Sequence, residues 1–335
     1  MKPTHWLLPA AFASLVAGQA NAADALDSQQ FEERFSGEAV SALNAKVEAG
    51  GFHISFDDNG NNDTNLESAH GYVVQGAVSL PIGSQFGLQI DAGTMHGSAD
   101  ADSPFFGSQE LDIEAYGLGG HLFWRDPGTG LLGVYAHQTE YDIEGVDITH
   151  RRFGVSGEAY LGNFTLKGFG GQDHVKYDSF ADGTYWAASG EVDFYFTDDF
   201  MVKAGIEHSF NSTSGFAGIE AAFSSSNVAS ALFADVSFGE AGTSAMAGLR
   251  FYFGQEAKSL KRRHREDDPD INLFDNFGAL GSCVNGLSDL PDEPELMAKS
   301  MERALPRMMP TAPDYDADNC DVDFKPYNPY PMDPT

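Results

Sequence analysis

Between residues 44 and 254, apolar or small side chains return at every second position in one segment after another. Val74-Gly76-Val78-Leu80, Phe86-Leu88-Ile90-Ala92 and Phe153-Val155-Gly157-Ala159-Leu161 each read this way, with polar or charged residues between them. A period of two is the signature of antiparallel strands that bury one face only, because successive side chains in a strand point to opposite faces. Turn residues punctuate the pattern, and Gly162-Asn163 is a two-residue link of the kind that closes hairpins. The spacing predicts about twelve strands: 44–56, 69–80, 86–97, 111–125, 131–140, 149–161, 164–176, 184–196, 200–211, 216–224, 230–239 and 243–254. Gly50-Gly51 breaks the phase of the first, which predicts a bulge there. The facing of the fifth is ambiguous.

Alternation alone cannot say whether the apolar face meets a protein core or lipid. A soluble sandwich or a lipocalin-like barrel would hide it, whereas a membrane barrel shows it to lipid and keeps polar groups inside. Several features favour the membrane. Trp6 to Val16 is a short apolar run ending in Ala20-Asn21-Ala22, which reads as a signal peptide over 1–22 and routes the chain for export. No later stretch has the ~20 apolar residues of a membrane helix. Short links (Pro81–Ser84, Asp126–Gly130, Gly162-Asn163, Thr197–Asp199) alternate with longer polar ones (Asp57–Ser68, Ser98–Glu110, His174–Gly183). Short periplasmic turns and longer outer loops give that rhythm. Phe86, Trp124, Tyr160, Phe164, Phe196 and Phe200 gather beside the short turns, where an interfacial girdle belongs. The net charge of −31 excludes nucleic acid as a partner, since phosphates demand a basic surface.

The last strand ends in Gly248-Leu249-Arg250-Phe251-Tyr252-Phe253. This hexapeptide resembles the C-terminal assembly signal of Gram-negative outer-membrane β-barrels, with Gly248, Phe251 and Phe253 at its marked positions. The resemblance implies a porin-like transmembrane antiparallel up-and-down β-barrel over 44–254. It also implies outer-membrane lipid, lipopolysaccharide and the outer-membrane assembly machinery as partners. The usual signal closes the chain, whereas here a long segment follows. The implied organisation is a 23–43 N-terminal periplasmic segment, the barrel, and a mostly irregular 255–335 periplasmic tail.

The polar face is the candidate functional surface. Arg152, Glu158, Lys167, Glu191, Asp193, Lys203, Glu207, Glu220, Asp235 and Arg250 share it. Around the short turns Glu158 falls opposite Lys167 and Asp193 opposite Lys203, and opposite charges directly across a strand pair attract. Such a lumen is either packed shut by ion pairs or held open as a charged constriction, cation-preferring because acids outnumber bases. Passive permeability or a closed structural barrel is therefore the first functional expectation. Surface adhesion through acidic outer loops such as Asp57-Asp58-Asn59-Gly60-Asn61-Asn62-Asp63 is the second. A third and weaker one is lipid hydrolysis at His96-Gly97-Ser98, with Asp112 or Glu114 to orient the histidine. Non-enzymatic readings lead. No cofactor motif is present, and the acidic loop misses the EF-hand spacing.

After the barrel, Lys258, Lys261, Arg262, Arg263, His264 and Arg265 form a basic run suited to anionic head groups or to a solvated linker. Cys283 and Cys320 are the only cysteines, and an oxidising periplasm would pair them.

Overall fold

A computed structural model describes residues 37–57, 65–103, 107–143, 145–177, 181–224, 228–254, 257–267, 269–281 and 323–324. The expected signal peptide over 1–22, Cys283 and Cys320 lie outside the described residues. Twelve strands form one closed antiparallel barrel: β1 (Asn44–Ser55), β2 (Asn65–Ile82), β3 (Phe86–Ser103), β4 (Gly107–Asp126), β5 (Gly130–Ile143), β6 (Val146–Leu161), β7 (Phe164–Tyr177), β8 (Ala181–Thr197), β9 (Phe200–Ser209), β10 (Ser212–Ser224), β11 (Val228–Gly239) and β12 (Gly242–Phe253). Each strand pairs with its sequence neighbours, and β1 closes the ring against β12 from Ala45–Phe253 to Ser55–Thr243. Closure removes the free edges that an open sheet would expose.

The outward faces are apolar. Tyr116, Leu118, Phe153, Val155, Trp186, Ile206 and Phe238 are all exposed, with Trp186 at 72%. A belt of this kind around a whole barrel has no counterpart in a soluble protein, whose exposed apolar patches stay small. It matches a lipid-facing band. Among the described residues no helix is long and apolar enough to cross a membrane.

Three local expectations are corrected. The register of β1 runs without interruption through Gly50 and Gly51 against both neighbours, so there is no bulge. Lys46, Glu48, Phe52 and Ile54 all sit on the same inner face. What changes at Gly50 is the polarity of the interior and not the facing of the strand. The polar links Ser98–Glu110 and His174–Gly183 are largely strand: β3 continues to Ser103, β4 starts at Gly107, and β7 runs to Tyr177. The outward positions of these extensions are polar (Ser98, Asp100, Glu110, His174, Lys176), so the apolar period stops before the strands do. Tyr160 leaves the predicted girdle and turns inward, where it is buried. Phe164, Phe194, Phe196 and Phe200 do form a run of ring contacts beside the short turns, at centroid distances of 4.7 to 5.8 Å.

The turns show why these sequences reverse here. Gly162 takes φ +62°, Gly145 φ +81° and Gly83 φ +67°. That left-handed region is open to glycine and costly for most other residues. Phe210 and Asn211 also adopt positive φ, at 51° and 58°, in the two-residue β9–β10 link. A type I′ turn demands this of both positions. The strain at Phe210 is offset by burial of its ring against His150 and Tyr185, at 5.1 and 5.5 Å.

The segment after β12 departs most from expectation. The sequence placed everything beyond Gly254 outside the barrel. Instead, α1 (Leu260–Glu266) docks across the short-turn mouth, and residues 269–281 run up inside the lumen. The preceding Ser259 caps α1 by accepting from Arg262 N. Residues 37–43 lie at the same mouth, with Ala39 N donating to Ser84 O and Val40 packed on Phe123 and Leu131. A short strand, β13 (Asp323–Phe324), adds to β8 at Ala181–Asp182.

Candidate functional site

The candidate site is the lumen with its internal segment. The short-turn mouth is held by the basic run. Lys261 Nζ reaches Asp198 (3.2 Å) and Asn163 (3.4 Å), both in short turns, and Leu260 N donates to Asp199 Oδ1. Lys258 pairs with Glu266 and Asp267, and Arg262 with Glu266. Arg265 donates to Phe164 O (2.9 Å) and lies over the Tyr160 ring at 5.0 Å, and Arg263 lies over Tyr252 at 5.6 Å. Guanidinium groups stack on aromatic faces in this way. The run thus finds protein carboxylates and rings inside the barrel mouth, where the sequence suggested lipid head groups or bulk water.

Above the mouth the segment is seated by its own backbone. Pro269 O accepts from Lys46 Nζ (2.6 Å) and Gln89 Nε2 (3.2 Å), and Leu273 O accepts from Thr139 Oγ1 (3.1 Å). The wall beneath it carries glycine. A Cβ at Gly119 would lie 3.1 Å from Leu273, one at Gly117 3.4 Å from it, and one at Gly93 2.9 Å from Phe274. The absent side chains make the bed into which Leu273 and Phe274 pack. Toward the loop end the interior is apolar. Phe274, Phe277 and Leu280 join Ile54, Phe56, Met95, Ile113, Tyr141, Ile148, Val175, Tyr177 and Phe210 in one buried cluster, with Tyr141 and Phe277 stacked at 5.4 Å.

The ten charged residues named from sequence lie inside the barrel, nine of them in four groups and Glu158 apart with Tyr160. Arg152 makes a two-pronged pair with Asp173 (2.7 and 2.8 Å) and a third contact to Glu207 (3.1 Å). Asp173 also receives His150 (2.9 Å) and Ser209 (2.7 Å). Asn276 of the internal segment joins this group, its amide oxygen 2.6 Å from Arg152 Nη1 and its nitrogen toward Glu207. Lys167 contacts Glu191 (2.8 Å), Asp193 (2.9 Å) and Asp270 of the segment (2.6 Å). Lys203 pairs with Asp235 at 2.9 Å. Arg250 bridges Glu48 (2.7 Å) and Glu220, and Glu220 also accepts from Tyr252.

Glu158 does stand opposite Lys167, and Asp193 opposite Lys203. The side chains nonetheless choose other partners. Lys167 turns to β8 and the internal segment, and Glu158 accepts from Tyr160 (2.8 Å). Lys203 reaches across β10 to Asp235 on β11 because Gly218 lies between them. A Cβ at Gly218 would collide with Asp235 Oδ1 and sit 2.7 Å from Lys203 Cε.

Sequence reasoning missed Asp173, His150, Lys46, Glu48, Gln89, Asp91 and His121, and the whole internal segment. Strand parity would have found Asp173, which faces the same way as Lys167, six residues before it. Asp91 and His121 form a second buried pair at 2.9 Å, with Tyr135 stacked on the imidazole at 4.2 Å.

Of the other candidate positions, Gly248, Phe251 and Phe253 lie in the closing strand, opposite Gly50, Val47 and Ala45 of β1. His96 and Ser98 are on the outer face, but His96 contacts Thr94 Oγ1 (3.0 Å) and, more distantly, Glu114 (3.8 Å) rather than Ser98. The Thr94 hydroxyl is 2.9 Å from Ala115 O, to which it donates. The His96–Ser98 contact that the hydrolase expectation needs is thus not made. Among the described residues no group of side chains has the arrangement of a metal site.

Beside the internal segment a cavity of about 280 Å³ remains, lined by residues from all twelve strands. Eight carboxylates line it (Glu48, Glu158, Glu191, Glu207, Glu220, Asp235, Asp270 and Asp275) against four Lys or Arg side chains (Arg152, Lys167, Lys203 and Arg250).

No known family model matches the chain, and no curated protein matches it. Solved structures do. The translocator domain of the autotransporter NalP from Neisseria meningitidis superposes with a TM-score of 0.49 at 14% identity, over 74% of this chain and 97% of that one. An outer membrane channel from Pseudomonas putida F1 gives 0.48 at 11%, over 66% and 98%. The KdgM porin gives 0.39 at 9%, over 63% and 99%. These neighbours are outer-membrane β-barrels, and the likeness is one of fold.

Proposed function

We propose that this protein is an outer-membrane barrel of the porin-like kind in which the chain's own segment 269–281 narrows the lumen, leaving a small acidic passage that prefers cations. One observation carries the reading: Leu273, Phe274 and Phe277 fill part of the lumen against β2–β6, and the cavity left beside the segment is lined by eight carboxylates against four Lys or Arg side chains. A ring of carboxylates concentrates cations and repels anions in a narrow low-dielectric passage. The apolar cluster at the loop end excludes large solutes. Reversal potential across a salt gradient, recorded with the refolded full-length protein in a planar bilayer, tests the selectivity. A potential of the sign expected for cations supports it, and zero or anion-selective potential contradicts it. Adhesion through the outer loops is the competing reading. Shortening those loops leaves permeation intact if the lumen is the functional part, and abolishes surface binding if the loops are.

A further inference from the structure

The path of the chain after β12 has a consequence for which side of the membrane its C-terminus occupies. β12 ends at Phe253, at the short-turn end, and α1 is fastened to the short turns through Asn163, Asp198 and Asp199. From there the chain climbs β1 step by step. Pro269 meets Lys46, Phe277 meets Phe52 at 6.3 Å, Gly278 approaches Ile54, and Gly281 lies under Phe56, beyond the last residue of the strand. Barrel strands run tilted, and the ten positions from Lys46 to Phe56 match the ~9–11 residues with which a tilted strand crosses the hydrocarbon core. The chain has therefore crossed from one end of the barrel to the other by Gly281.

A second crossing of ~30 Å would need about nine extended residues beside 269–281, and the cavity beside that segment is about 280 Å³. A second observation bears on the same question. The last register pair of β8 with β9 is Ala188–His208, so β8 runs on past its partner to Ala181 at the loop end. β13 pairs with that extension, Asp323 opposite Asp182 and Phe324 opposite Ala181. β7 occupies the other edge there, with Tyr177 opposite Ala181, so β13 takes the edge that β9 leaves open. An unpaired strand edge is a template for an added strand. Both places where the chain is described after the lumen, Gly281 and β13, are thus at the loop end.

We propose that the protein threads its own C-terminal segment through its barrel and displays it on the outer surface of the cell. The function added is export and presentation of that segment, with the barrel as its conduit and α1 as the anchor that stops it sliding out. The proposal rests on the membrane-barrel reading above, with short turns facing the periplasm.

The test uses the full chain with an epitope appended after Thr335, produced in Gram-negative cells. Fractionation comes first, and recovery outside the outer membrane would sink the barrel reading itself. Given recovery in the outer membrane, intact cells are probed with antibody and with external protease, and a soluble periplasmic protein serves as the leakage control. Threading predicts antibody binding on intact cells and loss of the epitope to protease, while a folded, heat-modifiable barrel remains. An epitope seen only after permeabilisation overturns the threading and leaves the barrel reading standing. The untagged chain gives a second measurement in case the tag itself hinders passage. After reduction, Cys283 and Cys320 are treated with a polyethylene glycol maleimide too large to cross the outer membrane. Labelling on intact cells supports display, and labelling only of permeabilised cells refutes it.

Discussion

Lys167 ties two strands and the internal segment together, and Lys167→Met tests how much that junction contributes. Its ammonium lies 2.6 to 2.9 Å from three carboxylates, and removing it leaves them without their shared cation. The three are not equally affected. The Asp270 side chain is 41% exposed and can take up water, whereas that of Asp193 is fully buried, and among the described residues Lys167 is the one cation in salt-bridge contact with it. Breaking a buried pair by deleting one partner costs about 3–5 kcal/mol, because the charge left behind is uncompensated. Methionine packing recovers part of this, so a loss of about 3 kcal/mol is expected, a factor of roughly 150 in the folded ratio. The assay is urea titration of the barrel in lipid vesicles, read by the heat-modifiable band. Two comparisons isolate the cause. Lys167→Met combined with Asp193→Asn should regain at least half of the loss. Lys203→Met should lose less, about 1–2 kcal/mol, because the Lys203–Asp235 pair is about a quarter exposed on both sides. A Lys167→Met barrel within about 0.5 kcal/mol of its parent, or a double variant no better than the single, would refute the reasoning.

Other substitutions probe the remaining contacts. Asp173→Ala strips Arg152, His150 and Ser209 of a common acceptor and should destabilise by about 3–5 kcal/mol in the same titration, with Asp173→Asn less severe. Gly119→Leu puts a side chain where Leu273 packs. Overpacking of this kind costs about 1–3 kcal/mol, and it should loosen the internal segment, read as faster proteolysis near residues 269–281 in the folded barrel. We propose further that Cys283 and Cys320 pair after export. Mass spectrometry of non-reduced protein should show the bond, and the double serine variant should still insert as a barrel, since the twelve strands of the closed ladder lie between Asn44 and Phe253.

The strands were legible because lipid on one side and a polar interior on the other impose the same two-residue period on the sequence that the backbone imposes on the side chains. Twelve strands follow from that, and β6, β7 and β9 begin or end within a few residues of their predicted limits. Legibility fails where one of the two environments changes. The outer face of β3 turns polar at Ser98 and Asp100, so the strand continues after its apolar pattern stops. In β1, Phe52 and Ile54 face inward onto Phe277 and Gly278, so an apolar residue appears on the face that had been polar, and continuity looks like a break. The internal segment has no period at all, because it is an irregular stretch seated by individual contacts and not a strand with two faces. Its one trace in the sequence is indirect. Gly93, Gly117 and Gly119 cluster on the inner face, and inward glycines mark a place where another part of the chain must come close.

The same residues explain why the partners of the charged side chains were harder to read than their facing. Parity decides which side of the sheet a residue occupies, and it places Lys167, Asp193 and Lys203 correctly inside. The choice among neighbours depends on what lies beyond the adjacent strand. Gly218 opens the way from Lys203 to Asp235, and Asp270 arrives from a segment more than a hundred residues later in the chain.

Single-channel recording in planar bilayers tests the central claim, that the lumen is narrowed by the chain itself, most directly. The full-length protein is compared with a chain ending at Ala257, which keeps all twelve strands and lacks α1 and residues 269–281. The full chain should show small, cation-preferring steps or none, and the shortened chain should show larger ones with weaker selectivity. Equal conductance in the two, or a wide pore in the full-length protein, would contradict a plugged lumen.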